Sequence, residues 1–253
     1  MSYQRIALIT GANQGVGFQV TRELAAKGVT VLLGSRNLAK GEAAAQQIGD
    51  GVTAIQIDVT DNASIAAAAD RIRTEFGRLD LLVQNAGIST TRQREPGEFL
   101  GDYAQKNAAS TASFDELRAI WDTNVFGVLA VYQAMLPLLR LSADARIVNV
   151  SSGVGSLTTN ADPTYPYHKI YGPGYAASKT ALNAMTLAMM VELEDTPIKV
   201  NLVSPAFTAT NLNNFAGTET LEDGSREVVR VALLGPDGPT NTFTRWNNQT
   251  IPW

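Results

Sequence analysis

The segment Thr10-Gly11-Ala12-Asn13-Gln14-Gly15-Val16-Gly17 follows an apolar run at 6–9 and opens a helix-like stretch. Three glycines at the handover from a first strand to a first helix restrict what this chain can fold into more than any other feature. Glycine lets a backbone turn tightly and approach a ligand closely, while the free N–H groups and positive end of the following helix attract a diphosphate. In an open α/β sheet this first turn is where a dinucleotide sits. A glycine triplet also serves ordinary turns, so its meaning rests on what stands downstream.

Downstream, strand-like apolar runs at 6–9, 29–34, 52–57, 79–83, 146–150 and 198–203 alternate with helix-like stretches at 15–27, 37–48, 62–76, 114–139 and 174–194. Such alternation predicts an α/β fold in which a parallel sheet carries helices on both faces, with ligands at the carboxyl ends of the strands. No break in composition divides the 253 residues, so a single domain over 1–253 is expected. The stretches 89–111 and 153–174 and the polar tail after Gly235 interrupt the rhythm, and substrate loops are expected at about 89–111, 153–174 and 207–223. Pro163, Pro166 and Pro173 oppose a continuous helix in the second of them.

Composition removes several classes of function. A net charge of −4 provides no general attraction to nucleic acid or to an anionic membrane, and neither is expected as a partner. The absence of cysteine excludes disulfides and thiol catalysis and agrees with a reducing cytoplasm. His168 is the lone histidine, so no histidine-rich metal site is expected. The start MSYQRIALITG lacks the apolar core of a secretory signal, and the apolar stretch 125–139, interrupted by Gln133 and Pro137, is short for a membrane span.

Chemistry enters at Tyr175-Ala-Ala-Ser-Lys179, near the start of the helical stretch 174–194. A spacing of four puts phenol and ammonium on one helix face. A free phenol, with a pKa of about 10, is a poor acid or base at neutral pH, and a nearby ammonium favours its ionised form. The same spacing recurs at Tyr165 and Lys169, where Pro166 makes a regular helix improbable. Ser151 and Ser152 end the strand 146–150. A hydroxyl there can bind a substrate oxygen in the crevice or satisfy strand-end backbone. Asn124, an amide amid apolar residues, can hold water or a backbone carbonyl, or face solvent.

Together these residues resemble the short-chain dehydrogenase/reductase family in its short single-domain branch. The matching pieces are TGANQGVG at 10–17, Asp58-Val59, Asn85-Ala86-Gly87, Asn124, IVNVSS at 147–152 and YAASK at 175–179. The resemblance implies a doubly wound Rossmann-type domain. It also implies that Tyr175 is the general acid/base, that Lys179 lowers its pKa and holds the nicotinamide ribose, and that Ser152 orients the reacting oxygen. Asn124 would hold a water linking Lys179 to solvent. Gly11, Asn13, Gln14, Gly15, Val16 and Gly17 would cradle the diphosphate. Asp58 and Val59 would meet the adenine, and Asn85, Ala86 and Gly87 would line the groove. Pro205 and Thr208 would lie near the nicotinamide.

The choice of nicotinamide cofactor rests on residues again. An NAD site places an acid about twenty positions beyond the glycine turn. Here the chain reads Gly34-Ser35-Arg36-Asn37, with no carboxylate. Arg36 can grip a 2′-phosphate as a charged fork and Ser35 can add a hydroxyl, which favours NADP(H); the plain alternative is a solvated arginine at a helix start. The expected activity is reversible hydride transfer between NADPH and a ketone or aldehyde, against the alternative of a non-catalytic NADP(H)-sensing protein. The sequence departs from the family at Pro205-Ala206, where Pro-Gly is usual, and in a longer segment between Ser152 and Tyr175. That segment resembles the carbonyl-reductase-like subgroup, in which it can cover a helix face used for tetramers, so a monomer or homodimer is expected. Its aromatic residues, with Phe207 and Phe215, either line a substrate pocket or pack at a subunit contact.

Overall fold

The structure is a computed structural model and describes residues 4–92 and 108–253. The core of the expected loop 89–111 therefore lies outside the described residues. Strand β1 (Ile6–Ile9) leads through the glycine turn to helix α1 (Gly15–Ala26), and β2 (Thr30–Ser35), α2 (Leu38–Ile48), β3 (Val52–Gln56), α3 (Asn62–Phe76) and β4 (Leu81–Gln84) follow. After the undescribed stretch come α4 (Phe114–Trp121), a π-helical turn (Asp122–Phe126) and α5 (Gly127–Leu139). Next are β5 (Arg146–Val150), the short helix α6 (Leu157–Ala161), α7 (Tyr175–Glu192), β6 (Lys199–Val203), α8 (Leu221–Ala232), β7 (Thr242–Arg245) and β8 (Gln249–Thr250). The sheet order is β3-β2-β1-β4-β5-β6-β7-β8, parallel throughout except for the antiparallel pair β7 and β8.

Every residue of β1, β4 and β5 is buried, because helices cover both faces. Successive side chains of a strand point to opposite faces. Accordingly, Ile6 and Leu8 join Leu82, Ile147 and the helices α3, α5 and α7 in one core, while Ala7 and Ile9 join Val83, Val148 and the helices α1, α2 and α8 in the other. The connections reverse direction between β1 and β4, the neighbouring strands at the centre. This switch opens a crevice at their carboxyl ends.

The stretch 114–139 is one continuous helix of 26 residues, by length and composition long and apolar enough to cross a membrane. Its Val125, Val128, Val131, Met135, Leu138 and Leu139 are buried in the core, which accounts for the apolar run. Helix α8 and the β7–β8 hairpin have no counterpart in the periodicity of the sequence. Among the buried positions of α8, Val228, Val229, Val231 and Ala232 crowd its second half, whereas Gly224 and Ser225 hold the first. Gly224 fits because a Cβ there would lie 2.1 Å from the Thr208 hydroxyl. The expected loop 207–223 thus ends at Thr220, whose hydroxyl accepts the Asp223 N–H as the cap of α8. In the hairpin, Asn247 and Asn248 both adopt left-handed φ, at 58° and 59°, the type I′ geometry that asparagine tolerates.

At the opposite end of the sheet from the crevice, Asp80 is fully buried. Its carboxylate accepts from the Ile6 N–H at 2.8 Å, the Arg78 Nε at 3.1 Å and the Ser142 hydroxyl at 2.6 Å. The ring of donors joins the start of β1, the entry to β4 and the loop before β5. Removing the acceptor strands buried donors. Asp80→Ala should therefore lower unfolding stability by about 2–4 kcal/mol, measured by urea titration; a loss under about 0.5 kcal/mol would remove Asp80 as a fastening point.

Candidate active site

The glycine turn is built by its neighbours. The Thr10 hydroxyl accepts from the Asn85 and Ala86 N–H groups, each at 3.1 Å, and the Asn85 amide donates to the Thr10 and Gly11 carbonyls at 3.1 and 3.0 Å. Gly11 and Gly15 have φ of 61° and 62°, in the left-handed region. A Cβ at Gly11 would stand 2.8 Å from the Ala86 Cα, and one at Gly17 would stand 2.4 Å from the Asn85 amide. The spacing of the glycines is thus set by contact with β4's end. No side chain caps α1 at Gln14, so its first N–H groups face the crevice mouth available to an anion. Asn13 is half-buried and Val16 packs on the adjoining core.

At the end of β2, Ser35 is buried and donates to the Asn37 carbonyl at 2.8 Å. Arg36 is exposed, and its guanidinium has no hydrogen-bond or ion-pair partner among the described residues. Asp58 accepts from the Thr60 N–H and hydroxyl at 3.0 and 2.8 Å, and Val59 is buried with its carbonyl close to Gly127. These features fit a dinucleotide: an uncapped helix start for a diphosphate, a free cation at β2, and a backbone cradle that a Cβ would fill.

Across the crevice, Tyr175, Lys179 and Ser152 come together. The Ser152 hydroxyl accepts from the Val154 N–H at 3.4 Å and lies near enough to the Tyr175 phenol to favour its ionised form. Lys179 is 4% exposed, donates to the Val150 carbonyl at 2.9 Å, and has its Nζ 5.7 Å from the Tyr175 ring centroid. A Cβ on Gly87 would lie 3.3 Å from Asn124 Oδ1 and 3.6 Å from Lys179 Nζ, which puts the end of β4 in the same cluster. Burial disfavours charge on either group. It pushes the Tyr175 phenol up to about 12, with the Ser152 hydroxyl acting in the opposite sense, and brings the Lys179 ammonium down to about 8. The lowering of the phenol by Lys179 expected from spacing is therefore outweighed: among the protein's own groups, burial dominates.

Asn124 falls in the π-helical turn, where the register of α4 gives way to that of α5. Of the readings open to it, the amide holds backbone. Its Nδ2 donates to the Ile88 carbonyl at 2.8 Å and to the Ser178 hydroxyl at 2.9 Å, while Oδ1 accepts from the Ile88 N–H at 2.9 Å. π-Turns of this kind recur at functional sites. Ser178 in turn donates to the Tyr175 carbonyl at 2.7 Å, so Asn124 reaches α7 through it. Tyr165 and Lys169 do not share a helix, since Lys169 belongs to a separate 3₁₀ turn, His168–Ile170.

Beyond β6, the Ser204 hydroxyl accepts from the Gly153 N–H at 2.8 Å and donates to the Pro205 carbonyl at 3.2 Å. Thr208 is buried and its hydroxyl turns to the Ala206 carbonyl at 2.8 Å. Tyr167 packs on Phe207, with centroids 6.3 Å apart, and on Tyr165 at 5.6 Å, which joins the aromatic insert to the segment after β6. Phe215 is 64% exposed. Sequence reasoning missed Gln14's partner Asn211, whose amide donates to it at 3.1 Å across the crevice mouth, and missed Ser178 and Asn183 on α7. For those two the signal was present in their spacing from Tyr175 and Lys179.

Comparison with known proteins agrees with this geometry. The family model described as short chain dehydrogenase matches residues 5–220. A short-chain dehydrogenase of Penicillium roqueforti, anuI, is 39% identical over 239 residues, covering 91% of this chain and 89% of that relative. Salutaridine reductase of Papaver somniferum is 31% identical, covering 95% of this chain and 94% of its own; its solved structure superposes with a TM-score of 0.79 over 95% and 99% of the two chains at 28% identity. A Burkholderia multivorans protein solved with bound NADP shares the fold, with a TM-score of 0.80 at 23% identity over 99% of this chain and 100% of that one. The chain belongs to the short-chain dehydrogenase/reductase family.

Proposed function

We propose that this protein is an NADP(H)-dependent oxidoreductase that reduces the carbonyl of a ketone or aldehyde, reversibly, with Tyr175 as the general acid/base. The observation that carries the reading is buried Lys179, tied to the Val150 carbonyl with its Nζ 5.7 Å from the Tyr175 ring and Ser152 beside them, opposite the uncapped glycine turn. The reductase name of the Papaver relative supports the reductive direction. NADP(H), when bound, supplies the hydride chemistry, and the protein supplies position and electrostatics. The start of α1 would hold the diphosphate, with Arg36 at the 2′-phosphate and Ser35, whose buried hydroxyl is given to the Asn37 carbonyl, shaping the backbone there; Asp58 and Val59 would lie beside the adenine, and Asn85, Ala86 and Gly87 along the groove. Pro205 and Thr208 would bound the nicotinamide end. Ser152 donates to the substrate oxygen, and Tyr175 gives its proton to the nascent alkoxide.

A protein that only senses NADP(H) would have no need for this set of Ser152, Tyr175 and Lys179. The substrate is a small carbonyl compound or alcohol reached through the single domain's loops. Pro173 accepts from the Trp121 ring N–H at 3.2 Å, which brings the insert onto the α4 face and favours a monomer or homodimer. A cysteine-free chain suits a reducing cytoplasm.

The reading is tested by following NADPH and NADH oxidation over a panel of aryl ketones, aldehydes, β-keto esters and diketones. Tyr175→Phe should lower kcat about 100- to 10,000-fold, the range for loss of a positioned acid, while NADPH binding followed by fluorescence stays within a few-fold. Near-normal turnover in the folded variant would overturn the acid/base role. With the phenol at about 12, reduction should hold steady through neutral pH because the donor keeps its proton, whereas alcohol oxidation should accelerate as pH rises toward that value. Arg36→Asp should weaken NADPH binding by about 10- to 100-fold, the worth of a charge-assisted contact, and shift preference toward NADH. An unchanged NADPH-to-NADH ratio would take Arg36 out of the phosphate site.

A further inference from the structure

Four side chains of α7 meet four consecutive positions at the end of β5. Tyr175 lies beside Ser152, whose hydroxyl favours its ionised form, and Lys179 donates to the Val150 carbonyl at 2.9 Å. Asn183 Oδ1 accepts from the Ser151 hydroxyl at 2.5 Å, and Thr186 Oγ1 accepts from the Asn149 amide at 2.9 Å. Residues 175, 179, 183 and 186 share one helix face by spacing, so the catalytic groups are the first two of a polar row.

Asn183 differs from the others in holding both sides of the Ser152 turn. Its Oδ1 takes Ser151, the residue before Ser152, and its Nδ2 donates at 3.2 Å to the carbonyl of Gly155, three residues after it. Gly155 is pressed against α7: a Cβ there would lie 2.9 Å from the carbonyl carbon of Lys179, and its carbonyl also accepts from Thr180 at 2.9 Å. Gly155 donates its own N–H to the Ser152 carbonyl at 2.9 Å. Ser151 and Asn183 are 2% and 4% exposed, so water does not substitute readily for either partner.

We propose that Asn183 is a positioning residue for the reaction, clamping the Ser151–Gly155 turn to α7 so that the Ser152 hydroxyl stays in register with the Tyr175 phenol. The proposal rests on the reductase reading for its kinetic consequence but not for its geometry. Ser152 supplies the contact that favours the ionised phenol, so a shifted turn alters the acid/base group without touching it. A misplacement of about 1 Å in a reacting constellation can cost about 100-fold in rate.

The test uses the full chain, with tyrosines labelled at Cζ and the Tyr175 resonance assigned by its loss in Tyr175→Phe. Asn183→Ala should move that resonance in the same direction as Ser152→Ala does, and should lower kcat about 10- to 100-fold, within the cost of a small misplacement, with the NADPH KM within two-fold. Ser151→Ala, a milder change that removes the same bond from the other side, should reproduce part of both effects. Thr186→Val removes the next contact of the row and should lower stability while kcat and the Tyr175 resonance stay as in the wild type. Folded Asn183→Ala and Ser151→Ala proteins with an unmoved Tyr175 resonance and kcat within two-fold would overturn the clamp. A resonance that moves as expected, in a protein whose wild type reduces none of the carbonyls, would uphold the clamp and overturn the reductase reading instead.

Discussion

The lock between Thr10 and Asn85 is the interaction on which the rest of the crevice depends. Two N–H groups from the end of β4 converge on one hydroxyl at the end of β1, and the Asn85 amide returns two bonds to the carbonyls of the turn. Because β1 and β4 are the strands between which the connections reverse, this lock fixes the width of the opening itself. The glycines follow from it: Gly11 faces Ala86 and Gly17 faces the Asn85 amide, at distances that leave no room for a Cβ. A turn held from behind in this way presents its N–H groups forward without relying on a ligand to shape it.

On the other wall the constraint is burial. Helix α7 lays a polar face on the end of β5, where each polar atom needs a partner, and the row from Tyr175 to Thr186 serves positions 149–152 between them. Gly155 allows the backbone of the Ser152 turn to touch the backbone of α7. The Asn124 amide ties Ile88 to Ser178 and so attaches the π-helical turn to the same helix. Three elements distant in sequence are thereby registered against α7. The catalytic geometry is a by-product of satisfying buried hydrogen bonds.

Much of this was legible in the sequence because it is local. A glycine turn after an apolar run, Tyr175 four residues before Lys179, and hydroxyls after a buried strand each carry their meaning within a few residues. The six strands read from apolar runs all form, since strands covered on both faces must be continuously apolar. What escaped was non-local. Helix α8 was hidden because its first half packs through Gly224 and Ser225, small residues selected by the approach of Thr208 and not by hydrophobic periodicity. The β7–β8 hairpin was hidden in a polar tail, since its strands are short and its turn uses two asparagines at positive φ. The spacing of Asn183 from Lys179 puts it on the catalytic face of α7, but its partners Ser151 and Gly155 are brought to it only by the fold.

The pair Tyr175 and Lys179 shows why motif chemistry has to be weighed in place. Spacing alone predicts that an ammonium lowers a neighbouring phenol's pKa. With Lys179 buried and Tyr175 half-buried, desolvation penalises each charge separately, so the phenol rises to about 12 as the ammonium falls to about 8. The protein's own groups therefore keep a protonated phenol across the neutral range, the state required of a proton donor to a nascent alkoxide. Lys179 is held by the Val150 carbonyl, which accepts from either protonation state of the amine and so fixes its position without fixing its charge. Ser152 is left as the contact that favours the phenolate. On the proposed reading, the ease of the reverse, oxidative direction thus depends on how firmly the turn carrying Ser152 is held against α7.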